Sequence, residues 1–348
     1  MFDLQSLESR RLLSATTLVI GQVDDAIRLN DGTTAHTGLA DRVVYLDAND
    51  NGTLDSGELS TTTDLSGNFK LHVSAGSDTI RLVERSGWSV AGIDSITLDV
   101  SSSSTTLSAG TFTTRMTHPT RVDVLALYTP AARAGLDSRQ MAAEVRSLFL
   151  QANQVYANSD TNTILNVVAI TSTQYRESGS VDTDLDHLGS GDGILSNVVT
   201  LRKVDRADLV TLFTSGDRTL GADIGVAYEY DPTDSTPREN GFNVVALQHD
   251  TVDNDAFTLA HEIGHNLGAG HDQPDNDGPG VTSYAYGYHY IGNNGRLYQD
   301  VMDYSNGIVL PFFSTPDFSW AGEPIGNAKH ADNARIIRES APAVAKYY

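Results

Sequence analysis

The residues best suited to chemistry in this sequence are three histidines and a glutamate in the stretch HEIGHNLGAGH, from His261 to His271. His261 and His265 lie four residues apart, so on a helix they share one face and can point ring nitrogens at one ion. Gly268 can take a positive φ, end the helix and turn the chain back so that His271 reaches the same ion. The spacing therefore predicts a metal site with three imidazole ligands.

Zinc is the metal that this donor set suits. Three neutral imidazoles leave the fourth tetrahedral position to water, which is the open geometry of a catalytic site, whereas a structural site is closed by four ligands, usually with thiolates. The chain has no cysteine. Glu262, next to the first ligand, is then placed to take the proton of that water.

The alternative for these histidines is ordinary packing in a hydrophobic core. The predicted helix already has a coherent apolar face, formed by Phe257, Ala260, Ile263 and Leu267. Since the histidines are not needed for that face, the metal interpretation is favoured.

The motif H-E-x-x-H-x-x-G-x-x-H followed by a methionine in a turn resembles the signature of the metzincin zinc proteases. Met302, within Val-Met-Asp-Tyr, supplies the methionine, and Asp272 directly after the third histidine is similar to the reprolysin and ADAM branch. The segments FSTP at 313–316, GEPIG at 322–326 and ADNAR at 331–335 are similar to the bacterial peptidyl-Asp metallopeptidases. The resemblance covers residues 120–348 and implies a zinc endopeptidase in which Met302 forms an apolar floor beneath the histidines.

Tyr304 stands two residues past Met302. In the astacin and serralysin branches a tyrosine at this offset approaches the zinc, whereas the reprolysin branch suggested by Asp272 generally lacks it. Such a phenol could bind the metal in the resting enzyme and then donate a hydrogen bond to the developing oxyanion. The alternative is that its hydroxyl only anchors the turn.

The resemblance to peptidyl-Asp enzymes also implies cleavage on the N-terminal side of acidic residues. That preference requires a cation in the primed pocket of an otherwise acidic protein. The candidates are Arg296 and Arg335.

A second candidate metal site lies between Asp47 and Glu58. Oxygen-bearing side chains fall at loop positions 1, 3, 5 and 9, Gly52 is at position 6 and Glu58 is at position 12, which is the pattern of an EF-hand calcium loop. The candidate calcium ligands are Asp47, Asn49, Asn51, Asp55 and Glu58. The flanks are not helical, and the stretch resembles the calcium-binding Ig-like B modules of bacterial surface proteins. The alternative is an Asx-rich hairpin turn whose side chains only satisfy their own backbone.

A further run of Asp275, Asn276 and Asp277 could bind a second calcium, although such a run is more often a solvated turn.

Composition narrows the classes of partner. The 348 residues carry a net charge of −22, which argues against nucleic acid or an anionic membrane as a partner and favours solubility. No run approaches the ~18 apolar residues of a membrane span. The expected partners are protein or peptide substrates. Without cysteine, latency cannot depend on a thiol that blocks the zinc.

Residues 1–15 contain Leu-Glu-Ser-Arg-Arg-Leu-Leu-Ser-Ala, which resembles an L-E-x-R-x-L-L-S-A motif at the start of large exported bacterial proteins. This resemblance implies a secreted or cell-surface protein with an export-type tail. The residues alone equally allow a disordered tail.

Residues 16–115 read as an all-β domain with short alternating runs at 42–46, 69–73 and 79–83, which predicts an antiparallel sandwich around the calcium loop. The resemblance to the B modules implies that this sandwich is Ig-like. The polar stretch 101–119 suggests a linker, placed at residues 116–120. Residues 121–348 then form the protease-like domain.

In that second domain, strand and helix patterns alternate, which predicts an α/β fold with a mixed, mostly parallel sheet and packed helices. The predicted strands are 121–128, 164–171, 207–213 and 242–248, and the predicted helices are 138–158, 193–204 and 331–340, the last ended or kinked by Pro342. Residues 221–228 fit an edge strand that could pair with an extended peptide; the alternative is a surface loop.

These observations favour an exported zinc metalloendopeptidase. A surface adhesion or matrix-binding protein with an inactive protease-like domain is the main alternative, although such a scaffold has no need for Glu262 beside the ligands. A zinc hydrolase acting on another amide is a second alternative. His249, His289 and His330 lie outside the motif and are interpreted as structural or surface residues.

Overall fold

The computed structural model describes residues 16–101, 105–215, 224–249, 252–275 and 278–348. A part built only from β-strands ends at Met116, and a part with a central sheet and packed helices begins at Thr120. Within these ranges no helix has the length and apolarity that crossing a membrane requires.

The N-terminal part forms two sheets around a shared core. In chain order its strands are β1 (Thr16–Arg28), β2 (Thr34–Gly38), β3 (Val43–Asp47), β4 (Ser60–Thr62), β5 (Asn68–Ser74), β6 (Gly76–Leu82), β7 (Trp88–Val90), β8 (Ser95–Val100) and β9 (Thr106–Met116). One sheet has the order β2-β1-β9-β7 with β5 also paired to β1, and the other has the order β4-β3-β6-β8. Phe69 and Phe112 of the first sheet and Val44 and Ile80 of the second share one apolar cluster.

The predicted strand runs 42–46, 69–73 and 79–83 are confirmed as β3, β5 and β6. The alternation is clearest in β5, where Phe69, Leu71 and Val73 are buried and the residues between them are exposed. The predicted antiparallel pairing is found in the other strand pairs of this part, but β1 pairs in parallel with β9. The linker predicted over 101–119 is also wrong for residues 106–116, where β-branched threonines extend β9 and turn Phe112 into the core.

The second part contains β10 (Thr120–Tyr128), α1 (Ser138–Asn158), β11 (Thr163–Ser172), α2 (Val181–Ser190), α3 (Val198–Asp205), β12 (Leu209–Thr214), β13 (Gly225–Ala227), β14 (Phe242–Ala246) and α4 (Val252–Asn266), with short 3-10 turns at Gly193–Asn197 and Pro237–Asn240. The sheet order is β11-β10-β12-β14-β13. β13 is antiparallel to β14, and the other pairs are parallel. The mostly parallel sheet is confirmed, and so is the edge strand over 225–227; residues 221–223 of that prediction lie outside the described ranges.

The C-terminal segment is built from short pieces: β15 (His289–Ile291), β16 (Leu297–Gln299), β17 (Ile308–Val309), β18 (Ser319–Trp320), β19 (Glu323–Pro324) and α5 (Asn333–Val344). α5 continues past Pro342 to Val344, so of the two predicted effects of this proline, ending the helix is wrong and a kink stays a prediction. Asp332 caps its first turn by accepting a hydrogen bond from the Arg335 N–H at 3.1 Å.

Helix α1 holds α4 in place. Its side chains Met141, Val145, Leu148 and Phe149 belong to the same apolar cluster as Ile263 and Leu267 of α4. The hydroxyl of Tyr156 donates a hydrogen bond to the Ala260 carbonyl at 3.2 Å. The helix that carries the first two histidines is therefore fixed by a buried helix–helix contact.

The two parts meet at the C-terminal end of α1. The carboxylate of Asp160 accepts hydrogen bonds from Arg42 at 3.2 Å and from the Trp88 indole at 2.8 Å, and it pairs with Arg85 at 2.7 Å. The Ala40 N–H donates to the Asn158 side chain at 3.0 Å. A single acidic side chain of the second part therefore binds three side chains of the first part.

Candidate metal centre

The turn after α4 brings the third histidine back to the first two. α4 ends at Asn266, and Gly268 has a φ of +88°, as its place in the motif predicts. The Ala269 N–H then donates to the Gly264 carbonyl at 2.9 Å, which closes the helix end. His261 and His265 on the helix and His271 after the turn consequently face one another.

The three Nε2 atoms converge. The separations are 3.1 Å for His261–His265, 3.1 Å for His261–His271 and 3.0 Å for His265–His271. The Tyr304 hydroxyl lies 3.1 Å from Nε2 of His261 and 3.1 Å from Nε2 of His271. The centre of a regular tetrahedron with such edges lies about 1.9 Å from each corner, close to the ~2.0–2.1 Å of zinc–nitrogen bonds.

The hydrogen bonds of the rings fix their protonation. Nδ1 of His261 lies 2.7 Å from the Val301 carbonyl, and Nδ1 of His265 lies 2.9 Å from the Ala269 carbonyl. Because a carbonyl only accepts, each Nδ1 carries the hydrogen and each Nε2 presents a lone pair to the centre. Burial lowers the pKa of His261 to about 3 and that of His265 well below its ordinary value. Neutral rings with converging lone pairs are a donor set that fits zinc.

Glu262 lines a cavity of about 280 Å³ together with His261, Tyr304 and Gly225 of the edge strand β13. Its side chain is only 4% exposed. A Cβ added at Gly225 would lie 2.2 Å from Oε1 of Glu262. The edge strand therefore reaches the glutamate only because residue 225 has no side chain, a requirement that the sequence pattern alone did not indicate.

Met302 is fully buried beneath the helix of the histidines. A Cβ added at Gly264 would lie 3.2 Å from its sulfur and 2.9 Å from the ring of Phe313. The backbone N–H of Met302 donates to Asp300 at 2.9 Å, and the neighbouring Val301 carbonyl holds His261. The turn around Met302 thus packs directly against the metal-binding helix.

The two arginines predicted for the primed pocket do not line this cavity. Arg335 lies on α5, where it pairs with Glu339 at 2.9 Å and stacks over Tyr284, and Arg296 lies in the turn between β15 and β16. The charged side chains among the described lining residues are acidic apart from the histidine: Glu262, Asp300 and Asp303. The cavity beside Glu262 thus contains neither arginine among its described lining residues, and a cation that recognises an acidic substrate residue stays a prediction.

Sequence reasoning missed a second cluster beside the histidines, formed by Asp272, His289 and Asp303. Burial and the neighbouring acids Asp303 and Asp275 raise the pKa of Asp272 to about 6. The three residues are spread over more than thirty positions, and no motif connects them. Only the tertiary fold brings them together.

In the candidate calcium loop, the first predicted ligand, Asp47, is the last residue of β3, and the other four lie in the loop that leads to β4. Asp47 accepts the N–H groups of Asn51 at 3.0 Å and Gly52 at 2.8 Å, and Asp55 accepts the Asn51 side chain at 2.6 Å. Arg81 also pairs with Asp47 at 2.7 Å. Calcium ligation there stays a prediction, as it does for Asp275; Asn276 and Asp277 lie outside the described ranges.

The second part of the chain is similar to known metallopeptidases. Residues 118–318 match the family Reprolysin_5, described as metallo-peptidase family M12. A peptidyl-Asp metalloendopeptidase of Stenotrophomonas maltophilia is 29% identical over 66% of this chain, and the match covers 53% of that relative. A peptidyl-Asp metalloendopeptidase of Pseudomonas aeruginosa is 28% identical over 66% of this chain and 40% of its own length. The chain thus spans about half the length of the curated relatives it matches.

A solved structure described as "Structure of a chaperone-substrate complex" aligns with 80% of this chain and 39% of its own chain, at 16% identity and a TM-score of 0.52. At this identity the likeness shows a shared fold only.

Proposed function

We propose that this chain, which belongs to the metallopeptidase family M12, is a zinc-dependent endopeptidase that uses Glu262 as its general base. The observation that carries this proposal is the convergence of three histidine Nε2 atoms within 3.0–3.1 Å of one another, two of them on the buried rings of His261 and His265, beside the cavity that Glu262 lines. When bound, zinc supplies Lewis-acid chemistry: it lowers the pKa of water towards about 7 and polarises a carbonyl.

The residues of the chain supply the rest of the mechanism. Glu262 lies on α4 with its side chain against β13. It takes the proton of the attacking water and later returns it to the leaving amine. The Tyr304 hydroxyl, next to His261 and His271, donates a hydrogen bond to the oxyanion that develops on the substrate. The Val301 and Ala269 carbonyls keep His261 and His265 in the tautomer that presents Nε2 to the site.

The substrate is proposed to bind as an extended peptide along β13. Among the strands that the structure describes, β13 pairs with β14 alone, so its other edge offers backbone groups to a substrate strand. The relatives named above are peptidyl-Asp enzymes, and that name supports a preference for cleavage before acidic residues. A library of peptides cut mainly before large apolar residues would contradict this preference.

The acidic composition and the likeness of residues 1–15 to an export motif support a secreted or surface location. The two packed sheets of the N-terminal part support its assignment as an Ig-like module, which stays a proposal. An inactive adhesion protein is the alternative function, and the retained Glu262 weighs against it.

Zinc dependence tests the function. The full chain should hydrolyse casein, lose that activity to a zinc chelator and regain it when zinc is restored. His265→Ala should remove activity, because it removes one of three ligands, whereas His330→Ala, a change at an exposed histidine outside the site, should not. Unchanged hydrolysis in the presence of the chelator would overturn the proposal.

A further inference from the structure

A second group of metal-ligating side chains lies outside the mechanism proposed above. Asp272, His289 and Asp303 each place one ligand atom within 4.8 Å of the others. Asp272 directly follows His271, and Asp303 directly precedes Tyr304. The cluster therefore joins the segment that delivers the third histidine to the segment that delivers the tyrosine.

Three oxygens face one nitrogen in this cluster. Nδ1 of His289 lies 2.7 Å from Asp303 Oδ2, 2.6 Å from Ser305 Oγ and 3.9 Å from Asp272 Oδ2. A ring nitrogen carries at most one hydrogen, so it cannot donate a well-aligned hydrogen bond to each of these oxygens. A cation at the common point would interact favourably with all of them.

Both carboxylates are buried, and the one of Asp272 is incompletely bonded. Asp272 is 4% exposed and Asp303 is 2% exposed. Within the described part of the chain, Oδ1 of Asp272 has no hydrogen-bond partner, although it is buried. Leaving a buried carboxylate oxygen unpaired is costly, and coordination of a metal ion removes that cost.

The charges are also unbalanced. In the described ranges, the ion pairs of Asp272 and Asp303 involve His289 alone, which supplies at most one positive charge for two carboxylates. Asp300 adds a third acid in the same turn and is fully buried, with its oxygens accepting from the Met302 and Ser314 N–H groups at 2.9 and 2.7 Å. A divalent ion would match the two carboxylates that face His289.

We propose that Asp272, His289 and Asp303 bind a second divalent ion of the zinc type. An imidazole with two carboxylates suits zinc and similar transition ions, whereas calcium and magnesium prefer sites made only of oxygen. The Ser305 hydroxyl stands close enough to join the coordination. The ion has a structural role: it ties the chain after His271 to the turn before Tyr304.

Metal content per chain tests this proposal. The full chain is stripped of metal, loaded with zinc chloride, freed of excess and analysed by inductively coupled plasma mass spectrometry. Wild type should hold about two zinc ions per chain, and His289→Ala should hold about one, while the His330→Ala control should keep two. One zinc in wild type, or two in His289→Ala, would overturn it.

Two further variants separate this site from the three-histidine site and from loss of folding. His265→Ala should retain about one zinc, held by the cluster, even though it is inactive. If the assignment of zinc to the three histidines were mistaken and the cluster did bind an ion, His265→Ala would leave the zinc content unchanged while His289→Ala lowered it. In His289→Gln the glutamine can still donate a hydrogen bond to Asp303 but is a poor zinc ligand. Circular dichroism should show that this variant is folded, and its zinc content should fall by one ion per chain. Retention of both ions would refute the site.

Discussion

At the scale of single residues, the geometry supports a specific role for Tyr304 in the proposed mechanism. Its hydroxyl is 3.1 Å from two of the three ligand nitrogens, although its side chain is half-exposed. If it donates to the oxyanion, Tyr304→Phe should lower kcat about a hundredfold, since one such donor is worth roughly 3 kcal/mol. Zinc content and folding should stay unchanged.

The matched control for Tyr304→Phe is Tyr284→Phe, which removes a hydroxyl bonded to Glu339 at 2.5 Å outside the cavity. It should leave kcat intact. Wild-type kcat in Tyr304→Phe would leave the tyrosine only as an anchor of its turn.

Gly225 gives a second prediction at this scale. Alanine there would put a methyl group 2.2 Å from Oε1 of Glu262, so the carboxylate or the strand must move. Since a misplacement of about 1 Å can cost about a hundredfold in rate, Gly225→Ala should lower kcat by that order at unchanged zinc content. Gly92→Ala, at a position where a Cβ would meet nothing within 4 Å, is the control and should be silent. Equal rates in the two variants would mean that the contact does not position Glu262.

At the scale of elements, the calcium loop between β3 and β4 makes a prediction about stability. Calcium bound only by the folded chain stabilises it by about 2.7 kcal/mol at a hundredfold excess over Kd. The melting temperature of the full chain should therefore rise with calcium, and Glu58→Gln should weaken the rise. Because Arg81 already pairs with Asp47, calcium has to compete with it or bind beside it. A melting temperature that ignores calcium would leave the Asx-rich hairpin as the role of these residues.

Elements with a strong local signal could be predicted from the sequence. Helix α1 spans Ser138–Asn158 as predicted, because its apolar residues recur with the helical period and Asp137 caps it by accepting from the Arg139 and Gln140 N–H groups. The spacing of the histidines and the positive φ of Gly268 are likewise local features, which neighbouring residues in the sequence determine. Local periodicity is sufficient for features of this kind.

Features that depend on contacts distant in sequence could not be predicted in this way. The parallel pairing of β1 with β9 joins strands more than eighty residues apart, and the polar sequence of β9 resembles a linker. Helix α2 gives little signal because its ten residues carry three aspartates and few apolar side chains. The contact of Gly225 with Glu262 and the grouping of His289 with two aspartates also exist only in the folded chain.

At the scale of the whole molecule, the N-terminal part packs against the second part through a buried charge cluster. Arg42, Arg85 and Trp88 converge on Asp160, and Arg42 is only 4% exposed. Next to it, Asn158 accepts from Ala40 and donates to the Pro311 carbonyl at 3.1 Å, and Ser159 accepts from Phe313 at 2.8 Å. Since Phe313 packs on Gly264, the interface is connected through direct contacts to the metal-binding helix.

Removing Asp160 should therefore destabilise the chain strongly. Asp160→Ala leaves the buried Arg42 without its carboxylate, and breaking a buried ion pair by removing one partner costs about 3–5 kcal/mol. Thermal unfolding should show a clearly lower melting temperature than Asp99→Ala, a change at an exposed acid of β8. If both variants melt together, the charge cluster does not hold the interface.

The central claim, that three histidines hold zinc and Glu262 moves the proton, is tested most directly by Glu262→Gln. Glutamine preserves the shape of the side chain and leaves the three ligands untouched, but it cannot accept a proton. Zinc content and peptide hydrolysis should be measured on the same purified sample beside wild type. We predict that Glu262→Gln binds as much zinc at the three histidines as wild type does and that its kcat is lower by at least about a thousandfold. Hydrolysis near the wild-type rate in a zinc-loaded Glu262→Gln chain would contradict the account.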